Sequence, residues 1–250
     1  MKYKYNTRFN PSITGPLHIG HLYMALVNEA EAHSSGGEFT VRVDDMSVYF
    51  NHHLGKNLIE QYYNDYQEQL SRFMKVDIWH RQSQLPRPEE IIGEHPIFDI
   101  FPSRLPLWKI PEINWRVAGG QWVWPYSPYA TLEKVVWDFW EKTSLLIRGE
   151  DLITEANFYT FIERQIGLLR PHQVYLPRLS VKIQQDLGQE HLVPGELSKT
   201  IGTYGLAKQI DKFGTKEILN LLKKSCLIDP KGEFLVENIK GNPVVEGFEE

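Results

Sequence analysis

Arg8-Phe9-Asn10-Pro11-Ser12-Ile13-Thr14-Gly15-Pro16-Leu17-His18-Ile19-Gly20-His21 passes from strand to turn to helix within fourteen residues. Upstream, Tyr3 to Phe9 alternates weakly, as a short strand does, and the breakers Asn10-Pro11-Ser12 and Thr14-Gly15-Pro16 end it. From Gly20 onward Leu22, Ala25, Leu26, Ala30 and the less apolar His33 recur at helical spacing, and Ser34-Ser35-Gly36-Gly37 stops that helix. Glu38 to Val43 is a second β-rich run, ending at Asp44-Asp45. Strand, helix, strand in this order predicts a parallel pair joined by a right-handed crossover. Functional groups in such sheets gather beyond the carboxyl ends of the strands, where the Pro/Gly turn and Asp44 both fall.

Working outward, the spacing predicts a helix over 54–75 and a short strand over Val76–His80. Leu85 to Pro128 has a different composition, with eight of the fifteen prolines and Trp115, Trp122 and Trp124 close together. It reads as an inserted subdomain with its own small, strand-rich packing, because linkers rarely carry so many aromatics. Helical spacing resumes at Thr131 with Leu132, Val135, Val136, Phe139 and Trp140. Leu145-Leu146-Ile147 then forms a strand running into the charged turn Arg148-Gly149-Glu150-Asp151, followed by a helix over 153–166. Beyond His191 comes a loop with Glu196-Leu197-Ser198-Lys199-Thr200, and Thr215 reads as the N-cap of a last helix with Ile218, Leu221 and Leu222 inward. The expected partition is 1–84 and 129–204 as two halves of one α/β domain, 85–128 as the insertion, and 205–250 as a short, mostly helical tail.

Composition narrows the chemistry. The chain has 250 residues, 42% hydrophobic and 24% charged, which is ordinary globular usage. A formal charge of −5 gives no general polyanion-binding surface, although a local basic groove remains compatible with it. The single cysteine, Cys226, excludes an internal disulfide and a multi-cysteine zinc site, so zinc is not expected. No apolar run approaches the roughly 20 residues needed to span a bilayer, and the first residues lack a signal-peptide core. A soluble protein without membrane partners, in a reducing compartment such as the cytoplasm, is the expectation. His52-His53 reads as surface histidines, and the tryptophan cluster as packing for the insertion rather than a base-stacking platform.

Two histidines flanking a glycine at the start of a helix suit an anion. Unpaired N–H groups and the helix dipole attract negative charge there, and imidazole N–H donors can add to them. A glycine between them leaves room for a flat base against the backbone. Together with the preceding twelve residues, the segment resembles the HIGH signature of class I aminoacyl-tRNA synthetases in its glutamyl and glutaminyl form. Further matches follow in order. Arg42-Val43-Asp44-Asp45 resembles the Arg-Ile-Glu-Asp strand end of that branch, and His80-Arg81-Gln82-Ser83 its Arg-Gln-Ser motif. Leu146-Ile147-Arg148-Gly149-Glu150-Asp151 is similar to its Val-Ile-Arg-Gly-Glu-Asp turn, and Leu197-Ser198-Lys199 to the second class signature.

The resemblance implies a Rossmann-type parallel sheet carrying an inserted acceptor-binding-like subdomain. It implies ATP-dependent activation of an amino acid, glutamate or a close analogue favoured, as the adenylate, with transfer to a tRNA at its acceptor end or a modified base. ATP and Mg²⁺ are the implied small molecules. Pro16, His18, Gly20, His21, Glu150, Leu197, Ser198 and Lys199 would bind the nucleotide, with His18, His21 and Lys199 in the catalytic roles. Arg8, Asn10, Ser12, Asp44, Tyr129 and Arg148 would hold the amino acid. Several positions depart from the pattern. Asp44 is one methylene shorter than the usual glutamate, Glu196 and Thr200 replace flanking cations, and ungapped register puts Ala130, not Tyr129, at the pocket tyrosine. Other readings stay open: a small-molecule or carrier-protein acceptor, or a catalytically silent paralogue acting as a binding module. About fifty residues follow Lys199, too few for an appended anticodon-binding module, so a truncated form is expected. The oligomeric state stays open, with a monomer slightly favoured.

Overall fold

In the computed structural model, residues 3–46, 56–100, 128–168, 171–177, 179–184, 190–194 and 205–245 are described. Five strands form one parallel sheet: β1 (Thr7–Phe9), β2 (Phe39–Val43), β3 (Ile78–Arg81), β4 (Leu145–Gly149) and β5 (His172–Leu176), in the order β3-β2-β1-β4-β5. The helices between them are α1 (Ile19–Ser35), α2 (Lys56–Ser71), the short α3 (Pro88–Ile92) and α4 (Ile97–Ile100), α5 (Pro128–Trp140) and α6 (Ala156–Ile166). The chain winds outward from β1 through β2 to β3, then returns to β4 on the other side of β1. This reversal makes a topological switch point beside β1, the usual place for a ligand in an open α/β sheet. The expected α/β fold is therefore observed.

Strand alternation sorts the side chains onto two faces. Phe9, Phe39, Val41, Val43, Leu145 and Ile147 point to the larger apolar cluster, shared with Leu22, Ala25 and Leu26 of α1 and with Tyr66 and Leu70 of α2. On the other face Leu146 joins Leu132, Val135 and Val136 of α5 and Tyr159 and Ile162 of α6. Gly36, in the left-handed region at φ 78°, ends α1 by capping the Ala32 and His33 carbonyls. The Gly-rich stop read from the sequence thus has its physical cause.

Two elements differ from the spacing-based expectation. The α5 stripe was expected to carry Phe139 and Trp140 inward, yet both are exposed while Trp137 and Asp138 are buried. In the last turn of this helix the inward position goes to a carboxylate that meets arginines of the sheet. The last helix, α7 (Leu206–Ser225), begins well before Thr215. Gly214, at φ 75° and ψ 160°, breaks it, and Thr215 opens the part the sequence pattern shows. A second sheet holds β6 (Ser180–Gln184) between β7 (Glu190–Pro194), antiparallel to it, and β8 (Val244–Val245), parallel to it. Trp115, Trp122, Trp124 and the His52-His53 pair lie outside the described residues.

Candidate functional site

The turn between β1 and α1 is held from three sides. Ser12 bridges to Asp44 at the end of β2, the Ile13 N–H donates to the Asp44 carbonyl at 3.0 Å, and the Asp44 N–H donates to Pro11 at 2.8 Å. The buried Tyr66 hydroxyl donates to the Gly15 carbonyl at 2.6 Å. Leu206, the first residue of α7, donates its N–H to the Leu17 carbonyl at 2.7 Å, and Gly205 forms a β-bridge with His18.

His18 is the N-cap of α1. Its Nδ1 accepts from the Gly20 N–H at 3.2 Å, while His21 Nδ1 accepts from the His18 N–H at 3.4 Å. The two rings stack with centroids 3.7 Å apart. Because each Nδ1 is an acceptor, each neutral imidazole carries its proton on Nε2. Two Nε2–H groups beside a helix N-terminus are donors of the kind that phosphate-like oxygens accept from, the His18 one being buried in this structure. Space at Gly20 is tight. A Cβ there would lie 3.1 Å from both Cε1 and Nδ1 of His18.

Of the amino-acid candidates, Arg8 and Arg148 project onto the α5/α6 face of the sheet. Asn10, Ser12 and Asp44 lie at its carboxyl edge. The Asp44 carboxylate is buried and accepts from Ser12 Oγ at 3.0 Å and from the Met46 N–H at 3.1 Å. Asn10 donates Nδ2 to the Arg42 carbonyl at 2.8 Å, and its own Oδ1 accepts from the Arg42 guanidinium. Arg148 is buried with its guanidinium carbon 4.1 Å above the Tyr159 ring centroid. Glu150 is exposed in the 3₁₀ turn (Glu150–Glu155) after β4, and Pro16 is exposed in the turn before α1. Tyr129 points elsewhere: its hydroxyl donates to Glu89 Oε1 of α3 at 3.0 Å. Leu197, Ser198 and Lys199 lie outside the described residues.

Sequence reasoning missed the group that organises this face. Asp138 of α5 receives Arg8 as a fork, Nε to Oδ1 at 2.7 Å and Nη2 to Oδ2 at 3.0 Å. Arg42 Nη2 donates to the same Oδ1 at 2.8 Å, and the Tyr159 hydroxyl donates to Oδ2. Arg42, fully buried, also donates Nη1 to Glu141 Oε2 at 3.0 Å, and Glu141 Oε1 pairs with His80 Nδ1 at 2.8 Å. Burial alone would raise the Asp138 carboxyl, but Arg8 and Arg42 outweigh it and hold the group well below the ordinary range. Tyr159 is pushed up, first by burial and then by the Asp138 charge, so it stays a donor. The available signal was the interruption of the apolar α5 stripe by an acid.

The sequence family described as "tRNA synthetases class I (E and Q), catalytic domain" matches residues 4–62. Over 41 residues the chain is 56% identical to the glutamyl-Q tRNA(Asp) synthetase of Methylococcus capsulatus, covering 16% of this chain and 14% of that protein. Residues 4–62 are thus similar to a class I, glutamyl-type synthetase catalytic domain. Glutamate–tRNA ligase 1 of Neorickettsia sennetsu is 52% identical over 42 residues, 17% of this chain and 10% of that one. These matched segments span about one seventh or less of the relatives' lengths.

Among solved structures, a glutamate tRNA ligase from Elizabethkingia meningosepticum in complex with its amino acid superposes with a TM-score of 0.59. It is 15% identical, covering 97% of this chain and 67% of that one. A tyrosyl-tRNA synthetase from Aeropyrum pernix gives 0.51 at 14% identity, covering 74% and 55%. At these identities the likenesses show a shared fold alone. Among the described residues, no group of three or more His, Cys, Asp or Glu side chains is placed to hold a metal. No helix among them is long and apolar enough to cross a membrane.

Proposed function

We propose that this glutamyl-type domain activates an amino acid, glutamate or a close analogue favoured, with ATP and passes it to a tRNA. The observation that carries the reading is the His18–Gly20–His21 cap at the start of α1, with both Nδ1 atoms engaged as acceptors. It stands at the switch point, beside the turn that carries Asp44 and the strands that carry Arg8 and Arg148.

In the first step a carboxylate oxygen of the amino acid attacks the α-phosphorus of ATP. The bond to pyrophosphate breaks and pyrophosphate leaves with the electron pair. The attacking carboxylate is ionised near neutral pH, so the step needs no general base and depends on positioning and charge neutralisation. His18 and His21 donate to phosphate oxygens, Pro16, Gly20 and Glu150 border the nucleotide, and Asp44 takes the amino group with Ser12 and Asn10 shaping the edge. Lys199, with Leu197 and Ser198, brings a cation to the leaving pyrophosphate. The tie between Leu206 and Leu17 holds the start of α7, seven residues after Lys199 in the chain, beside the His18 turn. Mg²⁺, entering with ATP, would supply further charge neutralisation for this step. In the second step an acceptor hydroxyl attacks the acyl carbonyl and AMP leaves.

Amino-acid-dependent ATP–pyrophosphate exchange tests the reading. Exchange stimulated by glutamate or a near analogue is expected, and Lys199→Ala should lower it roughly 10²–10³-fold, the usual loss for one charge-stabilising donor. No stimulation by any amino acid would sink the enzyme reading. One observation favours a catalytically silent binding module: Tyr129 is turned to Glu89, with Ala130 at the position where related pockets carry a hydroxyl. Transfer of labelled amino acid to total tRNA, against small-molecule and carrier-protein acceptors, distinguishes the acceptor classes.

A further inference from the structure

Strands β1 and β2 send Arg8 and Arg42 to the same face of the sheet, and both converge on one carboxylate of α5. Oδ1 of Asp138 accepts from Arg8 Nε and Arg42 Nη2, and Oδ2 accepts from Arg8 Nη2 and the Tyr159 hydroxyl. Four donors fill the four lone-pair sites of a carboxylate, so Asp138 has no capacity left for a substrate. Its effect is on orientation. A guanidinium gripped along its Nε/Nη2 edge cannot rotate, and its other terminal nitrogen then points in a fixed direction. Among the described residues Arg8 donates to no acceptor besides Asp138, and its Nη1 retains some exposure. Arg42 differs, because Glu141 and Asn10 take its remaining donors. Tyr159 reaches Asp138 with its hydroxyl while its ring carries the Arg148 guanidinium, so the same carboxylate also sets the platform for the second cation.

We infer that Asp138 is the positioning residue of the amino-acid pocket, holding Arg8 edge-on so that Nη1 meets the substrate side chain, with Tyr159 extending that control to Arg148. The inference deepens the function proposed above and rests on its placement of the amino acid at Arg8 and Arg148. It places Arg42 outside the pocket, as a counter-charge that keeps Asp138 ionised. Lengthening the carboxylate would push Arg8 toward the ligand space, and neutralising it would free the fork to swing.

Binding and turnover are measured separately on the full chain. Calorimetry with L-glutamate and L-glutamine, and with ATP alone, gives affinities that do not depend on catalysis. ATP–pyrophosphate exchange gives KM for each substrate and kcat. Asp138→Asn is expected to raise Kd and KM for the amino acid at least tenfold while leaving those for ATP within twofold. Tyr159→Phe keeps both arginine pairs and removes one donor, so it should fold and show a smaller shift, about three- to tenfold, again confined to the amino acid. Asp138→Glu should restore less than the full affinity, because the added methylene moves Arg8. The inference is overturned if Tyr159→Phe and a folded Asp138→Asn leave amino-acid affinity unchanged, if ATP and amino-acid constants shift together, or if the wild-type chain binds neither amino acid. Binding without exchange would defeat the catalytic reading alone and leave the Asp138 assignment standing on the measured Kd shifts.

Discussion

Gly20 separates what a residue does for binding from what it does for stability. It sits in the first turn of α1, where alanine is the better helix former by about 1 kcal/mol. An added Cβ would stand 3.1 Å from the His18 ring, close enough to force the imidazole to give way. Gly20→Ala should therefore leave the unfolding midpoint unchanged or slightly higher, yet raise the Kd for ATP several-fold. A thermal melt and a nucleotide titration on the same sample check it. A fall in stability with unchanged ATP affinity would mean that the cap serves only the helix. The local reading of this segment succeeded because its instructions are local: breakers at Asn10-Pro11 and Gly15-Pro16, then a cap whose donor and acceptor lie within three residues. The Arg8–Asp138 and Arg42–Asp138 pairs span 130 and 96 residues. Nothing in the neighbourhood of Asp138 names its partners, and only the sheet register brings them together.

At the scale of elements, the parallel strands and their helices were legible because period-2 runs and period-3.6 runs alternate along the chain. The errors fell at helix ends. Gly214 splits α7 and conceals its first part, since its φ of 75° resets the spacing. The end of α1 carries a different device. His33, expected on the inward stripe, instead bridges Glu29 on its own helix at 3.0 Å and Asp77, just before β3, at 2.7 Å. Lys75 and the Phe39 N–H also reach Asp77, and Glu233 stands near Glu29. Burial would lower the His33 imidazolium, but its bonds to Asp77 and Glu29 prevail and raise it. Burial opposes ionisation of Asp77 as well, yet the Phe39 amide and His33 hold its carboxyl below the ordinary range. A histidine raised in the folded state contributes stability in full below its unfolded value of about 6.5, and that contribution is lost as pH rises through the folded value. Urea midpoints should therefore fall from pH 6 toward pH 8.5. His33→Asn should show a smaller fall, because the native state then holds no extra proton. Identical pH slopes in the two proteins would remove this link from the account.

For the whole molecule, the tail expected after the second class signature turns out to be structural to the sheet. Leu206, Ile210, Ile218 and Leu222 of α7, with Cys226, Ile228, Phe234 and Val245 beyond it, lie in the same buried cluster as β1, β2 and α1. Burial pushes the Cys226 thiol up to about 12, which keeps it an inert packing group in this cluster. The Leu206 amide also closes onto the His18 turn and ties α7 to it directly. Leu222, fully buried, lies about four turns from that tie. Leu222→Ala should cost roughly 2–5 kcal/mol, as large-to-small core changes do, a sizeable part of the 5–15 kcal/mol typical of a domain. Leu132→Ala, in the smaller cluster beneath α5 and α6, should cost a similar amount. Because β4 contributes Leu145 and Ile147 to one cluster and Leu146 to the other, neither can melt without exposing a face of the same strand. Both substitutions should shift a single urea transition, seen alike by far-ultraviolet circular dichroism and tryptophan fluorescence. A biphasic curve for Leu222→Ala, with the tail melting first and ATP binding intact, would show instead that α7 is an appendage and that the site stands without it.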